Sequence, residues 1–185
     1  MCAANLASRN LHVTGRSSND TSCSPPLGDT LKINVDAHLR RDGRWSSGLI
    51  LKRSDGSIVG AATRSHVGSS EATFGEAMGL NDALDMVGRY NATTITFELD
   101  SMIIVRVVRD NAQIRRSWGF VVKRCVYFLK ENPRASIAWT IRENNRVAHE
   151  LARWAENEPN FDWHFCVPMC IDPFIQKDMG FVYCP

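Results

Sequence analysis

Polar and apolar residues alternate from Lys32 to Ala37, with Ile33, Val35 and Ala37 on one face and Lys32, Asn34 and Asp36 on the other. That period of two predicts a strand, and Asp36 falls where the run ends. Thr94 to Asp100 repeats the device, Ile95, Phe97 and Leu99 alternating with Thr94, Thr96, Glu98 and Asp100. Between these two, Ser47–Arg53 and Ile58–Thr63 read as further strands. The turns Arg40-Arg41-Asp42-Gly43 and Ser54-Asp55-Gly56-Ser57 delimit them, since Asp-Gly supplies the positive φ of a tight connection. From Ser70 the period lengthens: Ala77, Leu80, Leu84 and Val87 predict an amphipathic helix over roughly 70–89, with Ser70 or Thr73 as its cap and Glu76 at the edge of its apolar stripe. Two helices, 101–110 and 118–131, break around Asn111 to Ser117, and Pro133 stops the second. A last strand over 135–141 and a last helix over 145–156, with Ala148, Leu151, Ala152 and Ala155 on its apolar side, complete the order.

Three strands, a helix, a strand, helices, a strand and a helix predict an α/β fold: a mixed five-stranded sheet, an antiparallel meander plus parallel strands, flanked by helices. Residues 1–29 read as a flexible lead-in ending in Ser24-Pro25-Pro26-Leu27-Gly28, residues 30–157 as the domain, and residues 158–185 as a tail without an assigned role.

Composition sets outer limits. The 185 residues carry 44% hydrophobic residues and a net charge of +2, too little excess charge to announce nucleic acid by itself, so any basic surface has to be local. Such a stretch exists: Arg106, Arg109, Arg115, Arg116, Lys123 and Arg124, with Trp118 among them, suit a phosphate backbone, although a solvated helical face has the same look. The six cysteines form no Cys-x-x-Cys pair; Cys166 and Cys170 are the one close pair, and reduced thiols in an intracellular protein, nuclear or cytoplasmic, are expected. No stretch reaches the ~18 apolar residues of a membrane helix. The absence of acidic residues before Asp20, together with Arg9 and Arg16, leaves an organellar transit segment open.

The chemistry lies in the carboxylates. If the strands ending in Asp36 and Asp100 pair in parallel, both side chains meet at one sheet end, where they repel unless a proton or a hard cation intervenes. Each Asp alone also reads as an ordinary solvated strand end, and Glu76 as a helix-dipole partner.

Taken in order, Lys-Ile-Asn-Val-Asp at 32–36, Arg-Ser-Asp-Gly at 53–56, Glu-Ala-Met-Gly-Leu at 76–80, Phe-Glu-Leu-Asp-Ser at 97–101 and Arg-Glu-Asn-Asn-Arg-Val-Ala-His-Glu-Leu-Ala at 142–152 resemble the ribonuclease H type 1 family, especially the plant-type group related to retroelement reverse transcriptases. The resemblance implies an RNase H-like fold and a monomer that cuts the RNA strand of RNA–DNA hybrids with Mg²⁺ or Mn²⁺. It makes Asp36, Glu76 and Asp100 the metal ligands, His149 a fourth catalytic and metal-binding residue, and Ser101, Asn145, Arg115 and Arg116 nucleic-acid contacts. Two positions depart from the family: His149 stands where a carboxylate is usual, and Ala72 and Thr73 stand where strand-discriminating polar residues precede the helical glutamate. A catalytically weak or inactive nucleic-acid-binding module captured from a retroelement is the alternative, and a small α/β protein without a nucleic-acid role is a third. The tail, with Trp163, Pro168 and Asp178, is weakly similar to the segment C-terminal to the domain in the plant-type group.

Overall fold

The computed structural model describes residues 30–90, 92–164 and 167–178. The lead-in over 1–29, with Cys2, Cys23 and the transit-like arginines, lies outside the described residues, as do Cys166 and Cys184.

Six strands form one sheet in the order β5-β4-β1-β2-β3-β6. They are β1 Thr30–Leu39, β2 Trp45–Arg53, β3 Ile58–His66, β4 Thr94–Leu99, β5 Ala135–Trp139 and β6 Phe161–His164. β1, β2 and β3 are the antiparallel meander, β4 pairs with β1 in parallel, and β5 pairs with β4 in parallel. The sixth strand corrects the five expected. β6 has four residues, too few for periodicity to announce, and becomes a strand through antiparallel pairing with β3, from Gly60↔His164 to Thr63↔Phe161. Arg64, which bonds Asp162 at 2.7 Å, and the Thr63 hydroxyl, which donates to the Glu158 carbonyl, fasten it there.

Helices cover both faces. α1 Ala72–Val87, α2 Met102–Arg109 and α3 Gly119–Glu131 pack on Ile33, Val35, Leu49, Phe97 and Leu99. Cys125 lies in this core, where burial pushes its thiol up to about 12 and leaves it inert. α4 Arg146–Trp154, entered through a 3-10 turn at Arg142–Asn145, and α5 Asp172–Asp178 cover the other face around Ile50, Ala61, Val147, Leu151 and Ile175. This second layer is why Asn34 and Asp36, on the predicted polar face of β1, are only 2% and 3% exposed.

Two local expectations shift. β1 continues three residues past Asp36, because its antiparallel partner runs on to Leu39↔Trp45 while the parallel partner stops at Val35↔Leu99. Asp36 is thus the first residue beyond the parallel pairing, not the strand's end. α1 begins after Glu71 without a side-chain cap from Ser70 or Thr73. The Ser69 hydroxyl accepts the Glu71 amide just upstream, and the Trp45 indole donates to the Ser69 carbonyl at 2.8 Å.

Candidate active site

Register brings the first two carboxylates together. Val35 pairs with Leu99, so Asp36 and Asp100 each follow the last parallel pair on neighbouring strands. Two hydrogen bonds clasp the turn after β4: the Thr140 amide to the Leu99 carbonyl, 2.9 Å, and the Trp139 indole to the Asp100 carbonyl, 3.1 Å.

The third carboxylate arrives with α1, whose approach to the sheet depends on small residues. A Cβ at Gly75 would lie 2.2 Å from the Trp45 ring, and one at Gly79 would lie 2.8 Å from Val35. Both distances are far inside van der Waals contact, so glycine at these positions sets how deep Glu76 sits. Asp82, about 1.7 turns past Glu76 along the helix, ties α1 to the sheet by accepting from the Ser47 hydroxyl at 2.5 Å and from His66 Nε2 at 2.6 Å.

Asp36, Glu76 and Asp100 consequently offer ligand oxygens all within 4.8 Å of one another. Burial raises the Glu76 carboxyl well above its ordinary range, and the charges of Asp36 and Asp100 raise it further, with Arg142 opposing. Asp100 is raised by burial and then by Asp36, again with Arg142 opposing. Glu76 Oε2 is buried with no hydrogen-bond partner. Carboxylates crowded into poorly solvated space with an unmatched oxygen are suited to a hard divalent cation, which takes oxygen ligands and removes the repulsion.

His149 stands outside that group of three. Its Nδ1 donates to Asp36 Oδ2 at 2.7 Å, so the imidazole orients one candidate ligand and leaves Nε2 free. Arg142 Nη2 lies 3.5 Å from the same Nδ1. Arg142 is the site residue that motif reading missed: it opens the 142–152 stretch, but only the fold turns its charge toward Glu76 and Asp100.

The other expected residues divide. Ser101 is the residue before α2, half-buried, directly after Asp100. Asn145 is 1% exposed, and its amide donates to the Val35 carbonyl at 2.7 Å. Its side chain faces inward and holds the start of α4 against β1 beside Asp36. Arg115 is exposed on the α2–α3 connection, and Arg116 pairs with Glu71 at the head of α1. Among the described residues neither has a hydrogen bond or ion pair with the three carboxylates.

The reverse transcriptase-like family model matches residues 34–155, a span that contains all three carboxylates and His149. An Arabidopsis thaliana protein that carries a provisional ribonuclease H name is 28% identical over 133 residues, 71% of this chain and 21% of that protein. The chain thus spans about a fifth of the length of this relative. The RNase H1 of the halophilic archaeon Halobacterium salinarum has the same fold, with TM-score 0.62, 21% identity and coverage of 70% of this chain and 98% of that one. A compost-derived RNase H1, solved in complex with an RNA/DNA hybrid, matches with TM-score 0.53, 15% identity and coverage of 68% and 94%.

Proposed function

Because the chain belongs to the reverse transcriptase-like family and has the ribonuclease H fold, we propose that it is an endonuclease that hydrolyses the RNA strand of RNA–DNA hybrids with Mg²⁺ or Mn²⁺. The observation that carries this reading is the convergence of Asp36, Glu76 and Asp100 within 4.8 Å, with a buried unpartnered oxygen on Glu76. These three residues would hold the metal. Divalent ions supply charge neutralisation for the phosphoryl group and activate water at neutral pH. His149 keeps Asp36 in place through its hydrogen bond, Asn145 holds α4 against β1, and Arg142 limits the negative charge that accumulates before substrate arrives. Ser101, Arg115 and Arg116 are proposed to meet the nucleic-acid backbone, with Asn145 acting from beneath as an anchor.

The test is cleavage of an end-labelled RNA–DNA hybrid by purified protein in Mg²⁺ and separately in Mn²⁺. Products are expected in at least one metal, none in EDTA, and none from Asp36→Asn or Asp100→Asn. Binding of hybrid without cleavage in either metal favours the second reading, a binding module that has lost turnover. The observation behind that reading is the imidazole at position 149.

His149→Asp separates the two from another side. A carboxylate there adds a fourth oxygen donor beside Asp36 and restores one negative charge, whereas imidazole suits softer metals than Mg²⁺. Turnover in Mg²⁺ is expected to rise by about tenfold, the scale on which residues around a metal tune it. The metal-free variant should melt lower than wild type, because the new charge faces Asp36. An unchanged metal response would rule out a role for position 149 at the metal site.

A further inference from the structure

The C-terminal segment, to which the sequence assigns no role, builds part of the wall beside the carboxylates. Ile171 and Ile175 are buried at 2% and 5% exposure against the α4 layer, so α5 is firmly seated. Its Phe174 lines a cavity of about 470 Å³ with Arg142, Asn144, Arg146 and His149. The cavity adjoins the candidate metal site through His149, whose Nδ1 bonds Asp36.

Within this cavity the Arg146 guanidinium lies 4.9 Å above the centroid of the Phe174 ring. A guanidinium stacked on a ring keeps its edge N–H donors free for a planar or tetrahedral anion, with less rotamer entropy left to lose. Among the described residues neither Arg146 nor Arg142 has a carboxylate within ion-pair distance, whereas Arg64 on β3, Arg89 just after α1 and Arg124 on α3 each do. Glu143 and Glu150 share the wall, and Glu150 is engaged by Arg153 at 3.5 Å. Two arginines, one of them already held in place, therefore face a concave space next to the carboxylates.

From this arrangement we infer that Arg146, steadied by Phe174 and assisted by Arg142, forms a subsite for a backbone phosphodiester of the bound nucleic-acid strand, flanking the carboxylate site. The subsite rests on the proposed nucleic-acid function. It makes α5 a working part of the substrate surface.

The test is equilibrium binding of a fluorescent RNA–DNA hybrid in EDTA across a salt series, with the full chain in an Asp36→Asn background so that no cleavage intervenes. Losing one phosphate contact lowers the slope of log affinity against log salt by about one. Arg146→Ala is expected to show that loss and to bind about tenfold more weakly at low salt, as the loss of a charge-assisted hydrogen bond does. Phe174→Leu, which keeps α5 packed, should weaken binding by about threefold with the slope nearly unchanged, since the charge remains but its orientation is lost. The double variant should match Arg146→Ala, because both changes act through one contact. An Arg146→Ala protein with wild-type affinity and slope overturns the subsite, as does full additivity of the two changes. Inorganic phosphate at matched ionic strength is the second probe: if it protects wild type but not Arg146→Ala against heat while hybrid binding is identical in both, the cavity takes free phosphate and the inference fails. Cleavage by the wild-type chain with no effect of Arg146→Ala sinks the subsite alone, whereas absence of any hybrid binding by wild type sinks the nuclease reading with it.

Discussion

Glu76→Gln is expected to lower hybrid cleavage steeply while making the metal-free protein more heat-resistant than wild type at neutral pH. The two effects have one cause. Glu76 Oε2 is buried without a partner, and the carboxyl is held well above its ordinary range by burial and by the charges of Asp36 and Asp100. A carboxylic acid whose folded pKa is raised binds its proton more tightly in the folded state than in the unfolded one. Its contribution to stability is full below the unfolded value of about 4.3 and is lost as pH rises through the raised folded value. Asp100 is raised in the same direction and adds to the same slope. Metal-free wild type should therefore melt higher in mild acid than at neutral pH. The glutamine amide is uncharged at every pH and can donate to a neighbouring carboxylate, so it removes the Glu76 part of that loss. Relief of one unmatched buried group is on the order of 1 kcal/mol, or ~3 °C for a chain of this size. With excess Mn²⁺ the order is expected to reverse, since a metal that binds only the folded state stabilises by mass action and the variant lacks one of the three proposed ligands. Cleavage should fall by about 10³-fold, equivalent to ~4 kcal/mol of transition-state stabilisation. Melting curves in EDTA and in Mn²⁺ between acid and neutral pH, set beside the cleavage assay, decide the matter. A Gln variant that is less stable than wild type in EDTA at neutral pH would contradict the crowding on which the proposed metal site depends.

How far such a site can be read from sequence depends on which interactions define it. Asp36 and Asp100 were legible because the alternation of Ile33 and Val35, and of Phe97 and Leu99, fixes the phase of each strand and so the side on which its acid falls. Glu76 was legible only as a helix-edge residue. Its burial comes from Gly75 and Gly79, which let α1 sink toward Trp45 and Val35, and no periodicity reports that depth. The covering of Asn34 and Asp36 could not be read from β1 either, since it is α4, more than a hundred residues later, that lies over them. Short elements were lost for a related reason. β6 has four residues and owes its pairing to β3, and Phe174 acquires its position from Ile171 and Ile175 in the second core. Arg142 and Arg146 were visible as charges in a motif. What they face is a property of the fold.

Gly48→Ala is expected to damage stability and the site together. Gly48 pairs with Asp36 across β1 and β2. A Cβ there would lie 2.2 Å from the Ala152 nitrogen, 2.3 Å from the Ala148 oxygen and 2.8 Å from the Leu151 carbonyl carbon. All three are backbone atoms of α4, so no side-chain rotation relieves the overlap and the helix itself has to move. Overpacking of this kind costs about 1–3 kcal/mol and sometimes more, and a cost near 3 kcal/mol lowers the melting temperature by roughly 6–12 °C. The helix that moves carries His149, bonded to Asp36 at 2.7 Å, and begins at Asn145, bonded to the Val35 carbonyl at 2.7 Å. Displacing it pulls both restraints away from Asp36, and misplacement of about 1 Å at a catalytic group costs on the order of 10²-fold in rate. Gly88→Ala is the control: its φ is −60° and its nearest contacts are at 3.5 Å or beyond, so it should be nearly neutral in both assays. Melting curves for the two variants, with cleavage measured well below the lower melting temperature, separate the site effect from unfolding. If Gly48→Ala melts and cleaves like Gly88→Ala, then α4 does not rest on β2 at this point, and the close packing that holds His149 beside Asp36 is not what orders the site.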